Sequence, residues 1–151
     1  MNHPAHTYRQ HAVQGATPVE MVVMLYDGAI AWLQRAMTAI ESNDIERKCA
    51  HLNRALAIIG QLEGTLDFER GGEVAQTLKQ LYLCARAQVL KANIQNSPEI
   101  LRSLIQNFVT VREAWCQAQQ RLPPSPTTPA NEGSHHAPSP ARKLGAWRLC
   151  A

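Results

Sequence analysis

An all-α protein, folded as an antiparallel up-down four-helix bundle, is what the sequence predicts, with a short N-terminal arm or helix before the bundle and a disordered Pro-rich C-terminal tail after it. Three observations carry that prediction. Apolar residues recur at spacings of three and four through four successive segments, as in helices that bury one face. Aromatic residues make up only 5% of a chain that is 45% hydrophobic, and strand-favouring side chains lie scattered among helix formers. The breaks between segments are short, so antiparallel neighbours are the simplest arrangement. A chain of 151 residues needs one core, since a domain of that size buries roughly 70% of the surface its unfolded chain exposes.

The first helix has a strong start. Thr17 can cap it, Pro18 suits the first helical position and Glu20 completes a capping box. Val19, Val22, Val23, Tyr26, Ala29, Ile30, Leu33, Ala36, Met37 and Ile40 form its core stripe, and Ser42, Asn43 and Asp44 end it. The second helix runs from about Asp44 through Ile45, Cys49, Leu52, Leu56, Ile59, Leu62 and Leu66. Gly71, Gly72 and Glu73 then read as the helix reversal, because glycine supplies unusual backbone angles. The third helix repeats Val74, Leu78, Leu81, Ala85, Val89 and Ala92 and stops near Asn96. The fourth starts at Ser97 and Pro98, with Glu99 against its positive end, and repeats Leu101, Leu104, Phe108, Val111, Trp115, Ala118 and Leu122.

The bundle so defined covers residues 17–122. Residues 1–16 have no clear period and form an arm or a short helix. Residues 123–151 hold Pro123, Pro124, Pro126, Pro129, Pro138 and Pro140 among Ser, Thr, Asn and Gly, too little apolar surface to offset the entropy of ordering. Leu144, Trp147 and Leu149 are apolar exceptions in that tail.

Composition removes several function classes. The formal charge is +3, yet up to Leu122 there are 12 basic and 11 acidic residues, interleaved along the chain. Nucleic acid is therefore not an expected partner, because phosphate binding needs a clustered basic face. No run approaches the roughly 18 apolar residues of a membrane span, so direct membrane insertion is not expected. The start of the chain has no apolar signal-peptide core. Cys49, Cys84, Cys116 and Cys150 form no CxxC pair; the first three read as small buried thiols, which fits a reducing cytoplasm. His3, His6 and His11 have no Cys or acidic companion at useful spacing, so no metal or cofactor is expected. The inward Glu-x-x-His pair of a di-iron bundle is absent, as are a phosphate loop, a nucleophile elbow and a His–acid pair at catalytic spacing. The chain reads as a binding protein, not an enzyme.

What it could bind is suggested by an excess of apolar surface. Met21, Met24, Leu25, Gly28 and Trp32 make a second helically spaced row in the first helix. The third helix adds Leu83, Ala87, Leu90 and Ile94, and the fourth adds Ile100 and Ile105. One stripe per helix is enough for a bundle. The extra rows either widen the core or line grooves for partner helices, which need apolar anchors at this spacing. Met21, Met24, Leu25, Trp32, Leu83, Leu90, Ile94 and Ile105 are the expected groove contacts. Gly28 reads as a close approach of another helix, with a ligand contact as the alternative, and Asp27 as a hydrogen-bond acceptor for a neighbouring arm or helix. Trp115 reads as core, while Trp32 is either core plug or anchor.

Three stretches carry a family resemblance: Thr17 to Ile30 (TPVEMVVMLYDGAI), Leu66 to Tyr82 (LDFERGGEVAQTLKQLY) and Val111 to Trp115 (VREAW). Through them the sequence resembles the flagellin-specific export chaperones, the FliS family, over roughly residues 8–120. The resemblance implies a mostly antiparallel four-helix bundle that binds the C-terminal segment of flagellin around its outside and prevents premature polymerisation. It further implies recognition of the chaperone–flagellin complex by the membrane component of the export gate. Tyr8 stands where the family has a tyrosine in its N-terminal arm, which implies an arm or gate-contact role for it. The Pro-rich tail departs from the family pattern. Apart from the resemblance, the spare rows also fit a general helical adaptor, a bundle that oligomerises with itself, or a small-molecule or metal-binding bundle.

Overall fold

The structure, a computed structural model, describes residues 15–121. Four helices follow one another: α1 (Pro18–Glu41), α2 (Ile45–Gly64), α3 (Phe68–Gln95) and α4 (Pro98–Arg121). No strand occurs among the described residues. The connections, residues 42–44, 65–67 and 96–97, are too short to cross the bundle, so successive helices reverse direction. α1 packs on α2 and α4, and α3 closes the ring by packing on the same two. This is the all-α four-helix bundle that the periodicity predicts. Tyr8, the arm and the Pro-rich tail lie outside the described residues.

Each helix end has a local cause. At α1 the capping box is complete: Thr17 Oγ1 accepts from Glu20 N at 3.1 Å while Thr17 N donates to Glu20 Oε2 at 2.9 Å. Asn43 follows the helix with φ 56°, a left-handed conformation that asparagine tolerates better than most residues. Asp44 caps α2 by accepting from Arg47 N, and Ser97 Oγ accepts from Ile100 N at the start of α4.

The reversal between α2 and α3 lies earlier than the glycine pair predicts. Asp67 caps α3, accepting from Glu69 N and Arg70 N, so the turn is residues 65–67. Gly72, with φ 49° and ψ −123°, is a kink within α3. The side chain at residue 67 satisfies the free amides that start a helix, whereas the glycine only bends one already begun.

The core is built around two tyrosines and a phenylalanine. Tyr26 of α1, Tyr82 of α3 and Phe108 of α4 are fully buried with Leu33, Ile59, Leu62, Leu101 and Leu104. Phe108 meets the Tyr26 ring edge-on, centroids 5.4 Å apart. Such a pair contributes about 0.5–1.5 kcal/mol beyond the area it buries. The Tyr26 and Tyr82 hydroxyls hydrogen-bond each other at 2.8 Å, joining two helices that face each other across the core.

Some stripe assignments change in three dimensions. Ile45, expected in the α2 stripe, is 67% exposed, while Ala55 is buried; Ile45 sits at the first helical position. Cys49, Cys84 and Cys116 are half-buried, none of them in the core. Lys48 is the one buried charged residue among those described. Its ammonium donates to Asn93 O at 3.2 Å and Asn96 Oδ1 at 2.7 Å. It thereby caps the C-terminal end of α3, where free carbonyls and the helix dipole favour a cation.

Burial raises both tyrosine pKa values, that of Tyr26 well above 10 and that of Tyr82 to about 12. Below about pH 9 both are neutral whether the chain is folded or not. Between about 10 and 12 the unfolded chain releases protons that the folded chain retains, so stability falls as pH rises. Urea melts at pH 8, 10 and 11 should show a plateau and then a decline of up to about 1.4 kcal/mol per pH unit for each tyrosine. A Tyr26→Phe/Tyr82→Phe variant should lose that part of the decline; an equal alkaline slope in the variant would place its origin elsewhere.

Candidate functional site

The second apolar row of α1 does not disappear into the core. Met21, Met24, Leu25, Gly28 and Trp32 form one wall of an open cleft of about 1250 Å³, and Ala50, Asn53, Arg54, Ala57, Ile58 and Gln61 of α2, with Thr65 just beyond its end, form the other. Met21 and Met24 are exposed, whereas Leu25 and Trp32 pack partly against the core. From Met21 to Trp32 the wall runs about 16 Å at the helical rise of 1.5 Å per residue, enough for three turns of a guest helix.

A Cβ added at Gly28 would lie 3.1 Å from Ile58 Cδ1, so glycine allows α1 and α2 to approach here while leaving the cleft open above them. Both readings of Gly28, helix approach and ligand lining, describe the same position. Asp27 faces α4 and pairs with Arg112 through two hydrogen bonds, which accounts for an acid in this row. Gln119 Nε2 donates to Glu20 Oε1 at 2.9 Å, fixing the end of α4 beside the start of α1.

One end of the cleft is cationic. The Arg35 guanidinium lies 4.5 Å and that of Arg54 5.1 Å from the centre of the Trp32 ring, and the His51 ring packs on the same indole at 5.3 Å. These are cation–π distances. Trp32 is thus held as part of the cleft wall, with two charges at its rim.

The remaining predicted contacts separate into two groups. Leu83, Leu90 and Ile94 form an exposed row along α3, with Leu90 55% and Ile94 82% exposed. They lie on a different helix from the cleft and do not join it. Ile105 is a correction: at 9% exposure it belongs to the core cluster. It stands one turn from both Leu101 and Phe108, on the face that α4 turns to α1 and α3. Trp115 packs against the core as expected. Sequence reading misses the α2 wall, because Ala50, Arg54, Ala57 and Ile58 are small, charged or off the stripe; their spacing of three and four was the available signal. It also misses exposed Phe68, over which the Lys79 ammonium lies at 5.8 Å.

Among the described residues no group of His, Cys, Asp and Glu could hold a metal ion, and no helix is long and apolar enough to cross a membrane. With this geometry in view, the comparisons are specific. The family model described as "Flagellar protein FliS" matches residues 1–122. The chain is 36% identical over 121 residues to the flagellar secretion chaperone FliS of Bacillus subtilis, covering 80% of this chain and 89% of that protein. It is 34% identical over 108 residues to the FliS of Campylobacter jejuni, covering 72% and 84%. For the FliS of Salmonella typhimurium the identity is 35% over 109 residues, covering 72% and 81%. These relatives are named as chaperones, not enzymes.

Proposed function

The chain belongs to the FliS family of flagellar secretion chaperones, and we propose that it binds the C-terminal segment of flagellin in the cytoplasm, prevents premature polymerisation and supports delivery to the flagellar export gate. The observation that carries this reading is the α1–α2 cleft, an apolar channel of helical length on the outside of a bundle whose core is already filled. An amphipathic segment that is disordered when free can fold into such a channel and hide its own apolar face, so capture and masking are one event. The two methionines at the rim suit varied contacts, since the thioether side chain adapts its shape. The exposed α3 row offers a second surface to the same guest. Recognition by the membrane component of the gate, and an arm role for Tyr8, belong to this reading.

Binding of this kind needs no chemistry. Ordering the guest costs about 2–5 kcal/mol of the gross interaction energy, which leaves an affinity that competition at the gate can reverse. Calorimetric titration with a C-terminal peptide from the same organism's flagellin should give saturable heat with a micromolar or tighter Kd. The absence of both heat and a mobility shift across micromolar concentrations would refute the assignment. A stable dimer in light scattering, with no response to the peptide, would favour the self-associating bundle instead.

A further inference from the structure

We infer that the cleft is polar in the directional sense: it takes an amphipathic helix whose C-terminal turn carries carboxylates, laid with that end against Trp32, Arg35 and Arg54. This rests on the reading of the cleft as the guest's seat, and adds which way the guest runs and which chemistry selects it.

Charge is unbalanced at one end of the apolar channel. The Arg35 and Arg54 guanidinium groups lie 4.5 and 5.1 Å from the centre of the Trp32 ring, and neither has an ion-pair partner among the described residues. The carboxylate that reaches the lining, Asp27, is already paired with Arg112 of α4. The opposite end, near Met21, Gln61 and Thr65, carries no charge in its lining. A helix presents its negative dipole end and its free carbonyls at its C-terminus. Acidic residues there, or a terminal carboxylate, would meet two arginine forks whose planar donors match carboxylate geometry.

Charge also argues against the chain's own tail as the occupant. The apolar residues Leu144, Trp147 and Leu149 stand among Arg142, Lys143 and Arg148, the same sign as the rim they would have to approach. Arg35 and Arg54 are exposed, so neutralising them leaves the core untouched.

The test uses the full chain and two synthetic amphipathic peptides of about 18 residues. They share one leucine row and differ in placement of a Glu-Glu pair: in the last turn with a free carboxyl end, or in the first turn with an amidated end. Calorimetry at low salt should find the first about five- to ten-fold tighter. The preference should fall below about two-fold at 0.5 M salt, and equally in an Arg35→Gln/Arg54→Gln variant whose melting temperature is unchanged. Equal affinities, a preference that survives in the variant, or binding of neither peptide would overturn the proposal. So would a Leu144→Ala/Trp147→Ala variant that binds either peptide more than about ten-fold tighter, which would make the tail the occupant. A dimer dissolved by Met24→Glu would likewise assign the cleft to a second copy. Flagellin peptide that binds wild type and the double arginine variant alike refutes the polarity alone. Failure of flagellin to bind, with the acid-ended helix still preferred, refutes the chaperone reading alone.

Discussion

Phe108→Ala should destabilise the protein by about 3–5 kcal/mol and lower its melting temperature by on the order of 10–20 °C. Phe108 is fully buried, so truncation removes apolar contacts from the centre of the bundle and leaves a void. The void would lie beside Tyr26, whose ring meets Phe108 edge-on and whose hydroxyl is tied to Tyr82. That hydrogen bond restrains Tyr26 from swinging into the vacated space, so relaxation is limited and the cost falls toward the upper part of the range. Val109, the next residue along, is 36% exposed, and Val109→Ala should cost well under 1 kcal/mol. Thermal and urea melts of the two variants check the contrast. A Phe108→Ala variant that melts within a few degrees of wild type would mean that this aromatic cluster is not the centre of the core.

The contrast between neighbouring residues also marks what sequence could specify. Apolar residues at a helical period identify the α4 face containing Leu101, Leu104, Phe108 and Val111, and all four are buried. The start of α1 is legible because the capping box is local chemistry, complete within four residues. The start of α3 misleads because two adjacent glycines look like a stronger break than one aspartate. Asp67 nevertheless supplies the acceptor that helix initiation needs.

Where a residue's partner lies far along the chain, sequence becomes silent. Lys48 is buried only because the end of α3 arrives above it, bringing Asn93 O and Asn96 Oδ1. Ile105 is core because it stands one turn from Leu101 and Phe108 on the buried face of α4. Half of the cleft was legible, since Met21, Met24, Leu25 and Trp32 form a row too wide for one stripe. The other half was not. Ala50, Ala57 and Ile58 line a channel only in partnership with α1, and their spacing in α2 is too weak a signal by itself to distinguish a lining alanine from one facing solvent.

That division sets up the larger effect on binding. Met24→Glu should weaken the affinity for a flagellin C-terminal peptide by about 30- to 100-fold while leaving the melting temperature nearly unchanged. Met24 is 40% exposed in the free protein, so a charged side chain there can stay hydrated and the fold loses little. Bound guest would cover it, forcing either desolvation of a carboxylate or a guest displaced from the channel. Losses of this size, about 2–3 kcal/mol, are typical where an interface is concave and excludes water. Leu90→Glu on the exposed row of α3 should cost less, about ten-fold or under, because a row on a single helix can cover only one side of whatever rests on it. Calorimetry on both variants, with circular dichroism to confirm the fold, separates the two surfaces. If Leu90→Glu proves the more damaging, the guest rests mainly on α3 and the α1–α2 cleft is secondary. If neither substitution matters, apolar contact at these positions does not drive capture, and the physical basis for a chaperone seated on this bundle fails with it.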